Sequence, residues 1–155
     1  MELVEATAED LATVAEYWYR LASEMEPYSE LNELSMDGPA EALDGVETNH
    51  LEAEDATAYL LVADGDDVGY LLLHDGEHPS RRLDSYVEIV DLYVTEEHRS
   101  EGYGGEAIQR VEAIARERGA DYVKVGCEWN NEDARRFYED TGFTEKHLTY
   151  VQRVD

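Results

Sequence analysis

The residues best suited to chemistry lie together in Arg99-Ser100-Glu101-Gly102-Tyr103-Gly104-Gly105. Glycines at this density let the backbone turn tightly and come close to a ligand. Behind them, residues 106–118 place Ala107, Ile108, Val111, Ile114 and Ala115 at helical spacing, so the loop opens an amphipathic helix. A helix start offers unpaired N–H groups and the positive end of a dipole. Together these make an anion site, and phosphate is its usual ligand. In front of the loop, residues 86–94 are mostly β-branched, apolar and aromatic, the composition of a buried strand. Glu88 sits inside that strand, where a carboxylate needs a reason.

Neither common phosphate fingerprint fits the loop. The third glycine of G-x-G-x-x-G is replaced by Ala107, and no Gly-Lys-Ser/Thr follows. His74-x-x-x-His78 crosses a strand end and a loop with no third ligand nearby, so no metal site is expected. Asp64-Gly65-Asp66-Asp67 lacks the twelve-residue frame and closing glutamate of a calcium loop and reads as a hairpin turn. Cys127 has no evident base partner and reads as a packed strand thiol. Arg81-Arg82 reads as a pair of surface cations bridged to neighbouring carboxylates. Trp129 either lines a cleft or packs.

The elements that must position these groups follow from pattern. Residues 3–6 form a first strand; Thr7, with Asp10 three residues on, caps a helix carrying Leu11, Val14, Ala15, Trp18, Leu21, Ala22 and Met25 up to Pro27. Residues 28–38 show no period, and a thin apolar face marks a weak helix from Pro39. Residues 57–63 and 68–74 form a hairpin. A polar connection over 75–85 leads to the strand at 86–94. After the helix, capped by Gly119, come a strand at 122–128 that reads as central, a helix near 132–140 and a last strand ending near Val154. A strand, helix and strand in succession predict a parallel pair. No repeat or linker divides the chain, so one domain over residues 1–155 is expected.

Thirty-eight acidic residues against twelve basic ones give a net charge of −26, spread along the whole chain. Such a surface repels nucleic acid and anionic membranes. At molar salt, screening over about 3 Å removes most of the self-repulsion. The composition therefore points to a salt-adapted, halophilic archaeal source. One cysteine excludes an internal disulfide and suits a reducing cytoplasm. No signal peptide or apolar run of membrane-spanning length is visible.

Arg99-x-x-Gly102-x-Gly104 resembles the acetyl-coenzyme A loop, R/Q-x-x-G-x-G/A, of the GNAT N-acetyltransferases. About thirty residues later, Asn131-x-x-Ala134-x-x-Phe137-Tyr138-Glu139-x-x-Gly142-Phe143 is similar to the late helix and strand of that family. The order of elements across nearly the whole chain agrees. The resemblance implies an α/β fold, with a mixed, mostly antiparallel sheet, a parallel central strand pair and flanking helices.

The resemblance also implies a mechanism. Acetyl-CoA would lay its pyrophosphate on the N–H groups of Arg99, Ser100, Glu101, Gly102, Tyr103, Gly104 and Gly105, with the Arg99 side chain closing the site. The pantetheine arm would pair with the backbone of Leu92, Tyr93 and Val94, where an N–H can polarise the thioester carbonyl. Asn131 matches an asparagine that contacts this arm, and Tyr138 a tyrosine that protonates the departing thiolate. Glu88, eleven residues before Arg99, matches the position of the catalytic glutamate in histone-acetyltransferase members and is the first choice for the general base, with Asp91, where other members carry an acid, as the runner-up. Tyr28 and Glu30 fall in the region that forms the family's acceptor wall, and read either as acceptor contacts or as solvated loop residues. The implied reaction is direct transfer to a primary amine of a small molecule or protein, without metal, and a homodimer is compatible with it. A coenzyme A-binding sensor without turnover is the alternative. Only the enzyme needs Glu88 and Tyr138.

Overall fold

The computed structural model describes residues 1–155, and its sheet grows from one tight turn. Asp64 and Gly65, with φ of 53° and 84°, join β2 (Ala56–Ala63) to β3 (Asp66–Glu77). This is the left-handed pair of a type I′ hairpin. β1 (Glu2–Glu5) pairs antiparallel with β2, and β4 (Ser85–Val94) antiparallel with β3. β5 (Tyr122–Val125) runs parallel to β4, giving the order β1-β2-β3-β4-β5. The mixed sheet flanked by helices is the α/β arrangement that the sequence predicts.

Leu71, Leu72 and Leu73 are all buried, because helices cover both faces of β3. One core joins Leu61, Leu71, Leu73, Val87 and Ile89 to Ala107, Ile108, Val111 and Ala115 of α3 (Tyr103–Glu117). The other joins Ala58, Leu60, Tyr70, Leu72 and Tyr93 to Val14, Ala15 and Tyr17 of α1 (Leu11–Met25). Thr7 and Asp10 form the expected capping box, closing a 3-10 turn that leads into α1.

The weak helix after Pro39 is broken into three pieces. A 3-10 turn (Pro39–Ala42) leads to α2 (Leu43–Val46) and then to a π-helical turn (Glu47–Leu51). Its thin apolar face buries only Ala42 and Val46, too little to hold one regular register. The stretch without a period contains a short 3-10 turn at Glu30–Asn32, following one at Glu26–Tyr28.

A bulge in β4 decides which side chains share a face. Leu72 pairs with Asp91 and Leu73 with Ile89, so Val90 is an extra residue. Val87 and Ile89 before it face α3, as do Leu92 and Val94 after it. The bulge therefore shifts the alternation by one and sets Glu88, Asp91 and Tyr93 on the α1 side. Their partners His74 and Leu72 are two residues apart, so Glu88 and Asp91 lie roughly 7 Å apart along the strand.

Several expectations are corrected here. β5 ends at Val125 and lies at the edge of the sheet, because it pairs with β4 alone. The last strand does not form: residues 143–155 carry no sheet pairing, and Leu148, Tyr150, Val151 and Val154 are exposed. Charged and polar residues interrupt that segment, and no helix lies over it to bury its apolar positions. Cys127 lies past the end of β5 and is exposed, not packed in a strand. Arg81 and Arg82 stand on the exposed β3–β4 connection without ion-pair partners, because its one acidic residue, Asp84, is not in salt-bridge contact with either. No helix is long and apolar enough to cross a membrane.

Candidate functional site

The register of β4 with β5 runs only from Tyr86–Tyr122 to Ile89–Val125. Beyond Ile89, β4 continues to Val94 with no strand beside it on that edge, so Leu92, Tyr93 and Val94 border a split in the sheet. A 3-10 turn at Glu96–His98, tied by Thr95 Oγ1 to His98 Nδ1 at 2.6 Å, leads from the split into the glycine loop.

The loop is shorter than the sequence suggests, since α3 begins at Tyr103 and takes Gly104 and Gly105 into its first turn. Ser100 and Gly102 have φ of 66° and 88°, and two left-handed residues so close together make the sharp entry. No side chain caps α3, so the N–H groups of Tyr103, Gly104 and Gly105 point out of the helix start. A Cβ on Gly102 or Gly105 would meet nothing within 4 Å, so the space before these amides is open. At Gly104 a Cβ would lie 3.1 Å from Phe137. Glycine there lets α4 (Glu132–Asp140) pack beneath the loop. Uncapped amides, an open approach and a bare strand edge fit a phosphate-tailed, extended ligand such as acetyl-CoA.

The Arg99 guanidinium turns away from these amides. It donates to both carboxylate oxygens of Glu24 at 2.7 and 2.9 Å and to the Val94 carbonyl at 2.9 Å. It also lies 5.5 Å from the centre of the Tyr93 ring.

On the α1 side of the sheet, the Tyr70 hydroxyl donates to Asp91 Oδ2. Burial pushes the Asp91 carboxyl above its ordinary range, against the opposing pull of the Tyr70 hydrogen bond and of His50. Tyr17 lies against both Tyr70 and Tyr93, with ring centres 6.5 and 5.6 Å apart. Glu88 is more open, and His74 Nδ1 stands 3.9 Å from its Oε1. His74 is held at its other nitrogen by Asp55 at 2.8 Å. His78 packs against Tyr86 with the rings tilted by 32°, so the two histidines of the spaced pair serve different neighbours.

α4 brings the remaining predicted residues to the split. Tyr138 packs edge-on against Phe137 and Phe143. Burial, with Cys127 and Asp91 nearby, pushes its phenol up to about 12. Asn131 is the N-cap of α4: its Oδ1 accepts from the Ala134 N–H at 3.1 Å. Trp129 is exposed. Tyr28 and Glu30 meet the C-terminal part of the chain: the Tyr28 backbone carbonyl accepts from Asn130, and the Glu30 carboxylate from Arg153.

Asp91, Tyr138, the β4 edge and the start of α3 are thus brought together, while Arg99 and Asn131 take structural partners. Sequence reasoning missed Tyr70, Tyr17 and His50. Tyr70 carried one signal, as the hydroxyl-bearing residue in an otherwise apolar run of β3.

Residues 15–143 match the acetyltransferase (GNAT) family, and the chain belongs to it. It is 31% identical over 90 residues to the uncharacterized N-acetyltransferase YycN of Bacillus subtilis (strain 168), a match covering 57% of this chain and 55% of that protein. The match thus spans about half the length of that curated relative. Among solved structures, a probable acetyltransferase superposes with a TM-score of 0.76 at 28% identity, covering 100% of this chain and 99% of the other. A tetramutant of BH1408 from Bacillus halodurans superposes with a TM-score of 0.81 at 22% identity, over 99% and 100% of the two chains, a likeness of fold alone. The named relative is bacterial, which gives no support to an archaeal source.

Proposed function

We propose that this chain is an acetyl-CoA-dependent N-acetyltransferase that acts by direct transfer to a primary amine, with residues 1–155 as one catalytic domain. The observation that carries this reading is the split between β4 and β5 with the uncapped start of α3 at its mouth. When bound, acetyl-CoA supplies an activated acyl thioester.

The chain's own groups have distinct tasks. The backbone of Ser100, Glu101 and Gly102 and the N–H groups of Tyr103, Gly104 and Gly105 hold the pyrophosphate, and Arg99 adds charge once released from Glu24. The β4 edge at Leu92, Tyr93 and Val94 binds the pantetheine arm as an added strand. An N–H of the same edge polarises the acyl carbonyl. A free alkylamine is protonated near neutrality, so a base must free its lone pair. Asp91 suits this task better than Glu88. Its carboxyl is raised by burial toward the range in which a base works well, and Tyr138 lies within reach of its charge. Glu88, on the same face, binds the acceptor's cationic group. Tyr138, protonated at every working pH, donates to the departing sulfur.

The net charge of −26 supports a salt-rich setting, and the exposed thiol of Cys127 suits a reducing cytoplasm. Thermal unfolding in about 2 M KCl, with and without acetyl-CoA, tests the reading. At about 100 times its dissociation constant the cofactor adds roughly 2.7 kcal/mol, a midpoint shift of several degrees. Amine-dependent thiol release follows. A folded protein with no shift defeats the proposal, and a shift without turnover on any amine leaves a binding module.

A further inference from the structure

β5 ends the sheet with β4 as its single partner, so its outer edge presents unpaired N–H and C=O groups to any strand that can add there. Both faces of this edge are furnished. Val123 and Val125 pack on the α3 core, while Tyr122 and Lys124 lie against Tyr86 on the other side. Cys127, which is exposed, follows β5 just past its last paired residue. Asp121 and Glu128 flank the edge at its two ends, seven residues apart.

The end of the same chain has the opposite need. Its last backbone–backbone hydrogen bond runs from the Phe143 N–H to the Tyr138 carbonyl at 3.0 Å, and residues 144–155 make none. Their composition is not that of a linker. They contain no glycine or proline, and Thr149, Tyr150, Val151 and Val154 are residues that favour strands. Leu148, Tyr150, Val151 and Val154 are 67–93% exposed and join neither core. The ion pairs that tie the segment to its own body are Arg135–Glu145 at 3.0 Å and Arg153–Glu30 at 3.4 Å, both well exposed. Pairs of this kind contribute little, and less in salt. They also hold the segment on α4 and on the turn after α1, away from its own β5 edge.

Charge identifies the partner. Residues 146–154 are the longest stretch of the chain without an acidic residue. Lys146 and Arg153 give them a charge of +2, which leaves −28 on the rest of a chain whose total is −26. These two cations are seven residues apart, the same spacing as Asp121 and Glu128. We propose that residues 146–153 of one copy add as an antiparallel strand to the β5 edge of a second copy, and that the second copy's segment pairs with the first in the same way. Two-fold symmetry then leaves neither edge nor segment unpaired. Setting Lys146 opposite Glu128 and Arg153 opposite Asp121 fixes the register. Val151 then meets Val123 and Thr149 meets Val125 on the α3 side, while Tyr150 meets Lys124 beside the Tyr86 and Tyr122 rings. Such directly opposed pairs are the unit of sheet stabilisation. A parallel strand satisfies the same charges, but its ladder is the weaker one. Two bodies of charge −26 repel each other at low salt, and molar salt screens most of that repulsion, so the association strengthens as salt rises.

This pairing does not depend on the acetyltransferase reading, and it is tested on the intact chain in molar KCl. Sedimentation equilibrium gives twice the chain mass of 17.6 kDa, falling toward one chain on dilution. Hydrogen exchange shows the amides of residues 146–153 protected together with the outward amides of β5. Tyr150→Glu and Val151→Glu each change one exposed side chain that the folded monomer does not use. In both variants the mass falls to that of one chain and both sets of amides lose protection. The single cysteine reads the register. Residue 147 lies opposite Cys127 of the other copy, and directly opposed Cβ atoms about 5 Å apart are within reach of a disulfide. Mild oxidation of His147→Cys therefore yields a disulfide-linked dimer on a non-reducing gel, and oxidation of Gln152→Cys does not. A monomer at every concentration, a dimer that survives both glutamate variants, or a link formed by Gln152→Cys and not by His147→Cys overturns the proposal.

Discussion

Arg99 clasps Glu24 with two hydrogen bonds of 2.7 and 2.9 Å and so ties the last turn of α1 to the end of β4. The Val94 carbonyl accepts a third from Nε at 2.9 Å. To serve a phosphate, this guanidinium must let go of Glu24, and an exposed pair of this kind is worth about 0.2–1 kcal/mol. Glu24→Gln should therefore tighten coenzyme A binding up to ~5-fold at low salt, with the gain shrinking as salt rises. Calorimetric titration reads this directly. Unchanged or weaker binding in a folded variant would show that Arg99 is only a strut between α1 and β4.

Tyr138 has two faces: its ring completes an aromatic contact with Phe137 and Phe143, and its hydroxyl lies near Cys127 and Asp91. Tyr138→Phe keeps the ring and removes only the oxygen. Turnover should drop ~100-fold while coenzyme A affinity and melting temperature hold. Because the phenol is pushed up to about 12, the wild-type rate should show no decline from Tyr138 ionisation between about pH 8 and 10. Steady-state kinetics on both proteins checks it, and an undiminished rate in the variant removes Tyr138 from the chemistry.

Asp91 is a carboxyl that folding makes harder to ionise. With the folded value above the unfolded one, its contribution to stability is fully present below the unfolded value near pH 4. It is lost as pH rises through the folded value. Asp91→Asn removes that loss and still offers Tyr70 an acceptor oxygen. The variant should melt higher than the wild type at pH 7. The difference should fade toward pH 4, and turnover should fall sharply, a trade of stability for function. Melting curves across pH decide it; a variant less stable than the wild type at pH 7 would mean the ionised carboxylate is favoured by its surroundings.

What the sequence made legible was whatever depends on local period and turn chemistry. The hairpin at Asp64-Gly65, the capping box of Thr7 and Asp10, and α4 over 132–140 all follow from short-range rules. The site was legible where a motif fixes backbone, as at Gly102 and Gly104. It was opaque where long-range packing decides. Nothing near Arg99 in sequence announces Glu24, seventy-five residues away. The Val90 bulge changes which side chains share a face with Glu88, and strand alternation alone assigns them wrongly. His50 lies in a segment whose thin apolar face gave no regular register to reason from. The last strand failed for a related reason, since the order of elements proposes a strand but only a covered face keeps one.

Asn131 offers the cleanest separation of a structural from a cofactor role. Its Oδ1 accepts the Ala134 N–H and so closes the start of α4, the helix that carries Tyr138. Loss of such a cap costs about 1 kcal/mol. Asn131→Ala should therefore lower the melting temperature by roughly 2–4 °C. Asn131→Asp keeps the capping oxygen and should melt like the wild type, since a carboxylate also suits a helix start. The side-chain amide Nδ2, absent from both variants, is the side-chain donor that Asn131 offers to the pantetheine arm. If that bond is made, both variants weaken coenzyme A binding equally, although only the alanine variant is less stable. If Asn131→Asp instead binds coenzyme A as the wild type does, the residue's part in the site is confined to holding α4, and through it Tyr138, in place.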